Sequence, residues 1–377
     1  MWKQVSNGLR LSLFHFIHMK KLFSLMVTAM ISTIAFGQVQ SDIRTATLVH
    51  GDKTTVYYGQ KALANAYDNA AEKGDVIILS PGVFDDITIK KNISIYGSGY
   101  ETDTVSGAEP TEVSKFSISP TTSTDAFGEK KDIYPEVLIE GIYISKMWST
   151  YYSNITALYI SDSENNGTLD NLIIRKCKIP GKIALNPKSN NCKFIQCVLG
   201  NIGSNNSTNT QAPFNSYFKN KQNQLNFENC IMSAHGGSDD SNIVYNHCLI
   251  QSVYDKYAHL TNCIIFDYNA SWTGNYNIIN KIKSGSITGE GNILNLSTDA
   301  IFAAENEDGT YEANKDFALR YPDVHVGTDG TEIGINGGLY PFDRIPSTPR
   351  ILESNIDLET TSDGKLNVSL KVQAQSK

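Results

Sequence analysis

Five cysteines close the same short phrase along the middle of the chain: Ile174 to Cys177, Phe194 to Cys197, Phe227 to Cys230, Tyr245 to Cys248 and Leu260 to Cys263. In each, an apolar residue stands three places before the sulfur and apolar residues follow close behind. Such an internal repeat decides architecture before any local propensity does. The phrase cannot lie in one straight strand, because side chains alternate faces along a strand and its two apolar ends are an odd number of residues apart. The chain must bend between them. Asn, Gln, His or Lys occupies the place before the sulfur, and Asn tolerates the left-handed conformation of a tight corner.

Ile139 to Ile142 repeats the phrase without a cysteine, and Ile279 to Ile282 is a weaker copy. Gaps between successive closing residues are 35, 20, 33, 18, 15 and 19. The pattern is that of a solenoid, with about 11 coils of roughly 24 residues between positions 76 and 340. The 15-residue gap is the tightest and most strains this register. Charged residues make up only 19% of the chain and 19 tyrosines are present, a profile of turn-rich β structure. A net charge of -7 argues against nucleic acid and anionic membranes as partners, both of which call for basic patches.

Met19, Lys20 and Lys21 precede an apolar run from Leu22 to Phe36 that ends in small residues, the pattern of a secretory signal peptide cleaved after Gly37. Residues 1–18 precede that pattern, which makes a misassigned start before Met19 possible, and they are left out of the fold. The run is short for a membrane span, so the mature chain is expected to be secreted, to the periplasm, cell surface or medium. Export permits disulfides, yet five cysteines at one repeat position read as a buried ladder of reduced thiols. Cys192 lies off that ladder and is the candidate for pairing, and no spacing suggests a zinc site.

The remaining organisation follows from pattern. Residues 38–75 carry one or two strands and an amphipathic helix in which Leu63, Ala66, Tyr67 and Ala70 share a face, the expected cap of a solenoid end. Three prolines in Pro341 to Pro349 mark a boundary, and residues 341–377 end in two strand-like runs joined by Ser362-Asp363-Gly364, a hairpin expected to close the last coil.

The opening stretch, with Ala70, Gly74-Asp75, Val76 to Leu79, Pro81-Gly82, Phe84, Ile87, Ile89, Ile93, Ile95 and Gly97-Ser98-Gly99, resembles right-handed parallel β-helix proteins of the pectin-lyase-like superfamily. Asn229-Cys230 and Asn262-Cys263 resemble the corner of that fold where asparagines stack, and Gly327 to Gly334 with Gly337-Gly338 resembles its last coil. The likeness covers about residues 45 to 340, and the whole chain is similar to exported β-helix proteins of Bacteroidetes. It implies an all-β, right-handed parallel β-helix solenoid with an N-terminal capping helix and a C-terminal hairpin tail.

The resemblance also implies an outer groove in which clustered carboxylates hold calcium and an Arg or Lys removes a proton beside a sugar carboxylate. Asp162 with Glu164, Asp239 with Asp240 after His235, and Arg175 on one coil with Lys176 and Lys178 are the weak catalytic candidates, though none forms a family motif. No resident cofactor or metal is expected, calcium being the metal the superfamily would use. Two aromatic segments carry a better signal, Trp148 with Tyr151 and Tyr152, and Trp272 with Tyr276, because Trp and Tyr stack on sugar rings with a polar tip to spare. The expected function is non-catalytic binding of carbohydrate or a surface partner. A polysaccharide lyase or other carbohydrate-active enzyme is the second reading, and a structural or adhesive surface protein the third.

Overall fold

Each repeat phrase turns at the residue before the sulfur. Phe227 and Cys230 are both fully buried, and between them Asn229 takes φ 49°, in the left-handed region. Lys176, Gln196, His247, Asn262 and Tyr276 occupy the same corner with φ of 50°, 53°, 51°, 57° and 53°, and Gly141 takes φ 70° one rung earlier. Each non-glycine residue held there costs roughly 1–2 kcal/mol, so the corners require compensation from their surroundings.

The computed structural model describes residues 44–71, 74–145, 156–161, 163–200, 223–232, 242–253, 258–269, 271–304, 309–357, 359–361 and 363–373, all within the unit Arg44–Lys377. The strands stack into a parallel β-helix with a first sheet of 13 strands, a second of 10 and a third of 4. One rung shows the pattern: Val137–Glu140 in the first sheet, the corner at Gly141, Tyr143–Ile144 in the second, Thr156–Ile160 in the third. The first sheet begins with an antiparallel hairpin, Thr45–His50 and Lys53–Tyr58, whose inner strand pairs antiparallel with Asp75–Leu79. Beside it the helix Ala62–Asp68 buries Leu63, Ala66 and Tyr67, the cap that the sequence suggests. Among the described residues no helix is long and apolar enough to cross a membrane.

The 15-residue coil keeps its register, with Tyr245 opposite Leu260 and Ile250 opposite Ile265. The weak copy at Ile279 to Ile282 is corrected: the corner is Tyr276, and Ile279 pairs with Ile265 inside the second sheet. At this rung the sulfur's place is taken by Asn277, whose amide donates to the Leu260 carbonyl at 3.0 Å as the Cys248 thiol does to Phe227 at 3.4 Å. A polar residue in the ladder erased the apolar closing signal.

All six cysteines are buried and free, Cys192 included. Burial pushes the thiols of Cys177, Cys230 and Cys263 well above their usual range, and that of Cys192 up to about 12. Phe194, Phe227 and Tyr245 stack beside them with ring centroids 5.0 and 4.9 Å apart.

The apolar residue after each ladder position points out of the solenoid, yet it is buried too. Val198, Ile231, Leu249, Ile264 and Ile278 form a second core with Phe302, Phe317, Leu319, Ile333 and Ile335, so a later stretch of chain covers this outer face. Consecutive apolar residues in these strands therefore report burial on both faces. The coil strands end at Ile293–Leu294.

From Gly327 the chain does not form another coil. It runs back along the corners as an extended strap, meeting first Asn262 and last the glycines near Gly97. Among the described residues the terminal hairpin, Arg350–Ile356 with Val368–Gln373, joins no other sheet. It was expected over the last coil, but the strap delivers it to the early coils, where Arg350 bonds Asp103 at 2.7 Å.

Candidate functional site

The corner side chains are satisfied by the strap, chiefly through its main chain. Asn262 accepts from the Thr328 N–H at 2.9 Å, and Asn229 donates to the carbonyls of Ile335 and Gly337 at 2.8 and 2.7 Å. His247, fully buried, donates from Nδ1 to the Gly334 carbonyl at 3.1 Å and lies 2.9 Å from the Asp329 carboxylate through Nε2. Burial raises the Asp329 pKa, but bonds from Thr331 and His247 outweigh it and hold the carboxyl below its usual range. Gln196 donates to the Pro341 carbonyl, and Lys176 reaches Asp343 at 3.1 Å and the Ile345 carbonyl at 2.5 Å. Net gains near 1 kcal/mol per bond, more for charged groups, are the scale needed to offset the left-handed corners.

One catalytic candidate belongs to this seam. Arg175 donates from Nε to the buried Glu140 carboxylate at 2.8 Å, and a second Glu140 oxygen accepts the Ser347 N–H at 2.6 Å. A guanidinium so engaged anchors the strap and is not a free base. Glu164 is exposed, and its backbone N–H donates to Asp132 at 2.8 Å. Asp132 also accepts from Asn165, Thr122 and Ser163, with Asn165 the largest influence, and these bonds hold its carboxyl well below the usual range. It ties the protruding hairpin Thr121–Thr124 and Lys130–Ile133 to the next coil.

Asp162, His235, Asp239, Asp240, Trp148, Tyr151 and Tyr152 lie outside the described residues. Trp272 opens a strand of the first sheet, Trp272–Asn275, opposite Ile287 of the next rung, instead of standing in a loop. Tyr276 is corrected from loop aromatic to corner residue: half-buried, it packs against the second core. The reason is that the repeat register runs on through Tyr276, so its ring packs on the solenoid wall. Tyr268 is core as well and donates to the Ser286 carbonyl at 2.9 Å.

A cleft of about 820 Å³ opens where the strap reaches the early coils, a volume within the usual range for ligand sites. Leu79 and Pro81 of the first coil and the loop Thr102–Ser106 form one side, and Arg344 to Arg350 with Leu352 form the other. Two ion pairs join the sides, Arg344 to Glu101 at 3.1 Å and Arg350 to Asp103 at 2.7 Å. Glu101 is held from behind by Lys178 at 3.1 Å and by the Tyr311 hydroxyl at 2.7 Å. Burial and Glu101 push the Tyr311 pKa up, so it remains a donor. Burial raises the Asp103 pKa too, but bonds from Ser106, the Val105 N–H and Arg350 outweigh it and keep the carboxylate ionised.

The sequence reading missed Glu101, Asp103, Arg344 and Arg350. Their one signal is position, two acids in the glycine-flanked stretch after Gly99 and two arginines bracketing the prolines. Both carboxylates of the cleft are engaged by cations. Hydroxyls of Ser98, Thr102, Thr348 and their neighbours line it beside apolar walls, an arrangement suited to holding a polar ligand. Among the described residues no group of three or more His, Cys, Asp or Glu is placed to hold a metal ion. No protein family, curated protein or solved structure matches this chain.

Proposed function

We propose that this chain is an exported pectin-lyase-like β-helix protein, of the kind found in Bacteroidetes, that binds carbohydrate or a cell-surface partner without catalysis. The observation that carries the reading is the cleft between strap and early coils, where hydroxyls and apolar walls surround two acid–base pairs that neutralise each other. Neutralised pairs orient a hydroxyl-rich ligand by hydrogen bonds but leave no carboxylate poised to take a proton. Export is supported by the charged and apolar run from Met19 to Gly37. The carbohydrate class is supported by likeness of scaffold, an associational warrant.

The test is retention on a panel of neutral and acidic glycans, with product analysis by mass spectrometry and an Arg344→Ala variant beside the wild type. The reading expects retention of intact glycan and a loss of at least about tenfold in affinity in the variant, the cost of one good polar contact. Shortened or unsaturated oligosaccharides would overturn it in favour of an enzyme. Absence of retention, or retention unaffected in Arg344→Ala, would remove the cleft as the site.

A further inference from the structure

The strand Lys53–Tyr58 is the outer edge of the 13-strand sheet and has no partner on its far side among the described residues. Sheet edges are normally blunted by short length, proline, a bulge or inward charge. The opposite end of the solenoid follows that rule, closing on the two-residue strands Ile287–Thr288 and Ile293–Leu294. The N-terminal edge does not. It is six residues long, pairs with Thr45–His50 without a bulge and contains only strong strand formers after Lys53.

The turn Gly51-Asp52 is two residues long, which makes His50 and Lys53 a hydrogen-bonded pair. Alternation then gives the inner strand the main-chain groups of Lys53, Thr55 and Tyr57, and the Gly59 N–H bond to the Arg44 carbonyl at 2.9 Å continues it. Thr54, Val56 and Tyr58 present their N–H and C=O groups to solvent. Val56 is 41% and Tyr58 70% exposed, an apolar pair beside an unpaired edge.

We infer that this edge pairs antiparallel with the same edge of a second copy of the chain, across a two-fold axis at Val56. Centred there, all three outward residues find partners: Val56 meets Val56 of the second copy, and Thr54 meets its Tyr58. The one charge of the strand, Lys53, falls opposite Gly59 of the second copy and never opposite itself. An isologous contact must be complementary to itself, and this register is. A contact of one strand pair buries less than the standard interface, so the dimer is a concentration-dependent one.

The experiment is light scattering coupled to size exclusion over a concentration series of the purified chain, with Val56→Lys and Val56→Pro. Val56→Lys sets like charges face to face on the axis and should weaken the dimer about tenfold. Val56→Pro removes an N–H that the inner strand does not use and should abolish it. Hydrogen exchange gives an independent reading, with the Thr54, Val56 and Tyr58 amides slowed as concentration rises. A monomer at every concentration would overturn the inference, as would a dimer that both variants retain or one that leaves those amides fast.

Discussion

His247 and Asp329, 82 residues apart in sequence, meet at 2.9 Å where the strap crosses the corner of the solenoid. The contact joins the two halves of one problem: a corner that must be left-handed, and a return segment that must be held. His247→Asn keeps a residue that tolerates φ 51° but loses the reach to Gly334 and Asp329, at a cost of about 2–4 kcal/mol. His247→Val loses the same bonds and adds roughly 1–2 kcal/mol of backbone strain. Denaturant titration should therefore rank wild type above Asn and Asn above Val. Equal midpoints for the two variants would show that the corner conformation carries no strain.

Asn277 predicts a different ranking. Its Oδ1 accepts from the Cys263 N–H at 2.9 Å and its amide donates to Leu260, both buried. Asn277→Leu strands both groups, at about 1–3 kcal/mol each. Asn277→Cys keeps a donor for Leu260, as the ladder does elsewhere, and should lose less. Thermal melts of the two variants check the order.

Acid should weaken the hold of Asp132 on its hairpin. Its folded pKa is depressed by Asn165 and its other donors, so it contributes stability that is fully present above the ordinary aspartate value of about 3.9 and is lost as pH falls below that toward the folded value. Melting temperature followed from neutral pH to pH 2 should fall less steeply in Asp132→Asn than in wild type, from a lower starting point. Parallel curves would remove Asp132 from the acid response.

Gly141 sits under the strap, and a Cβ there would come within 2.6 Å of Pro346, while a Cβ on Gly74, at φ 78°, would meet nothing within 4 Å. Gly74→Ala should then cost only the roughly 1–2 kcal/mol of a left-handed alanine. Gly141→Ala should cost more and lift the strap from the cleft wall, losing ligand retention while circular dichroism keeps its β signature. Retention equal in both variants would separate the cleft from the strap.

The coils were legible because burial repeats. Phe194, Phe227 and Tyr245 fall at one position of the phrase and stack in one row, and the short gap between Cys248 and Cys263 holds since a rung needs only enough chain to close. The strap was not legible, because its partners for Asn229, Gln196 and Lys176 are mainly carbonyls of Ile335, Gly337, Pro341 and Ile345, which every residue possesses. The same holds for the site. Arg175 could be picked out as a charge, but not its partner Glu140, 35 residues away, nor Ser347, 172 away.

A stack of parallel rungs, each touching only its neighbours, unfolds one rung at a time from either end. The return of residues 327–348 from the Asn262 rung to the Gly97 rung changes that. Its bonds are spaced to the rungs, so they form together only when every intervening rung is in register, and melting one rung breaks the spacing for the rest. The segment ties a one-dimensional array into one cooperative unit, and it bears on the order of assembly: a stretch of chain made after the coils is the one that reports that the first coils are complete.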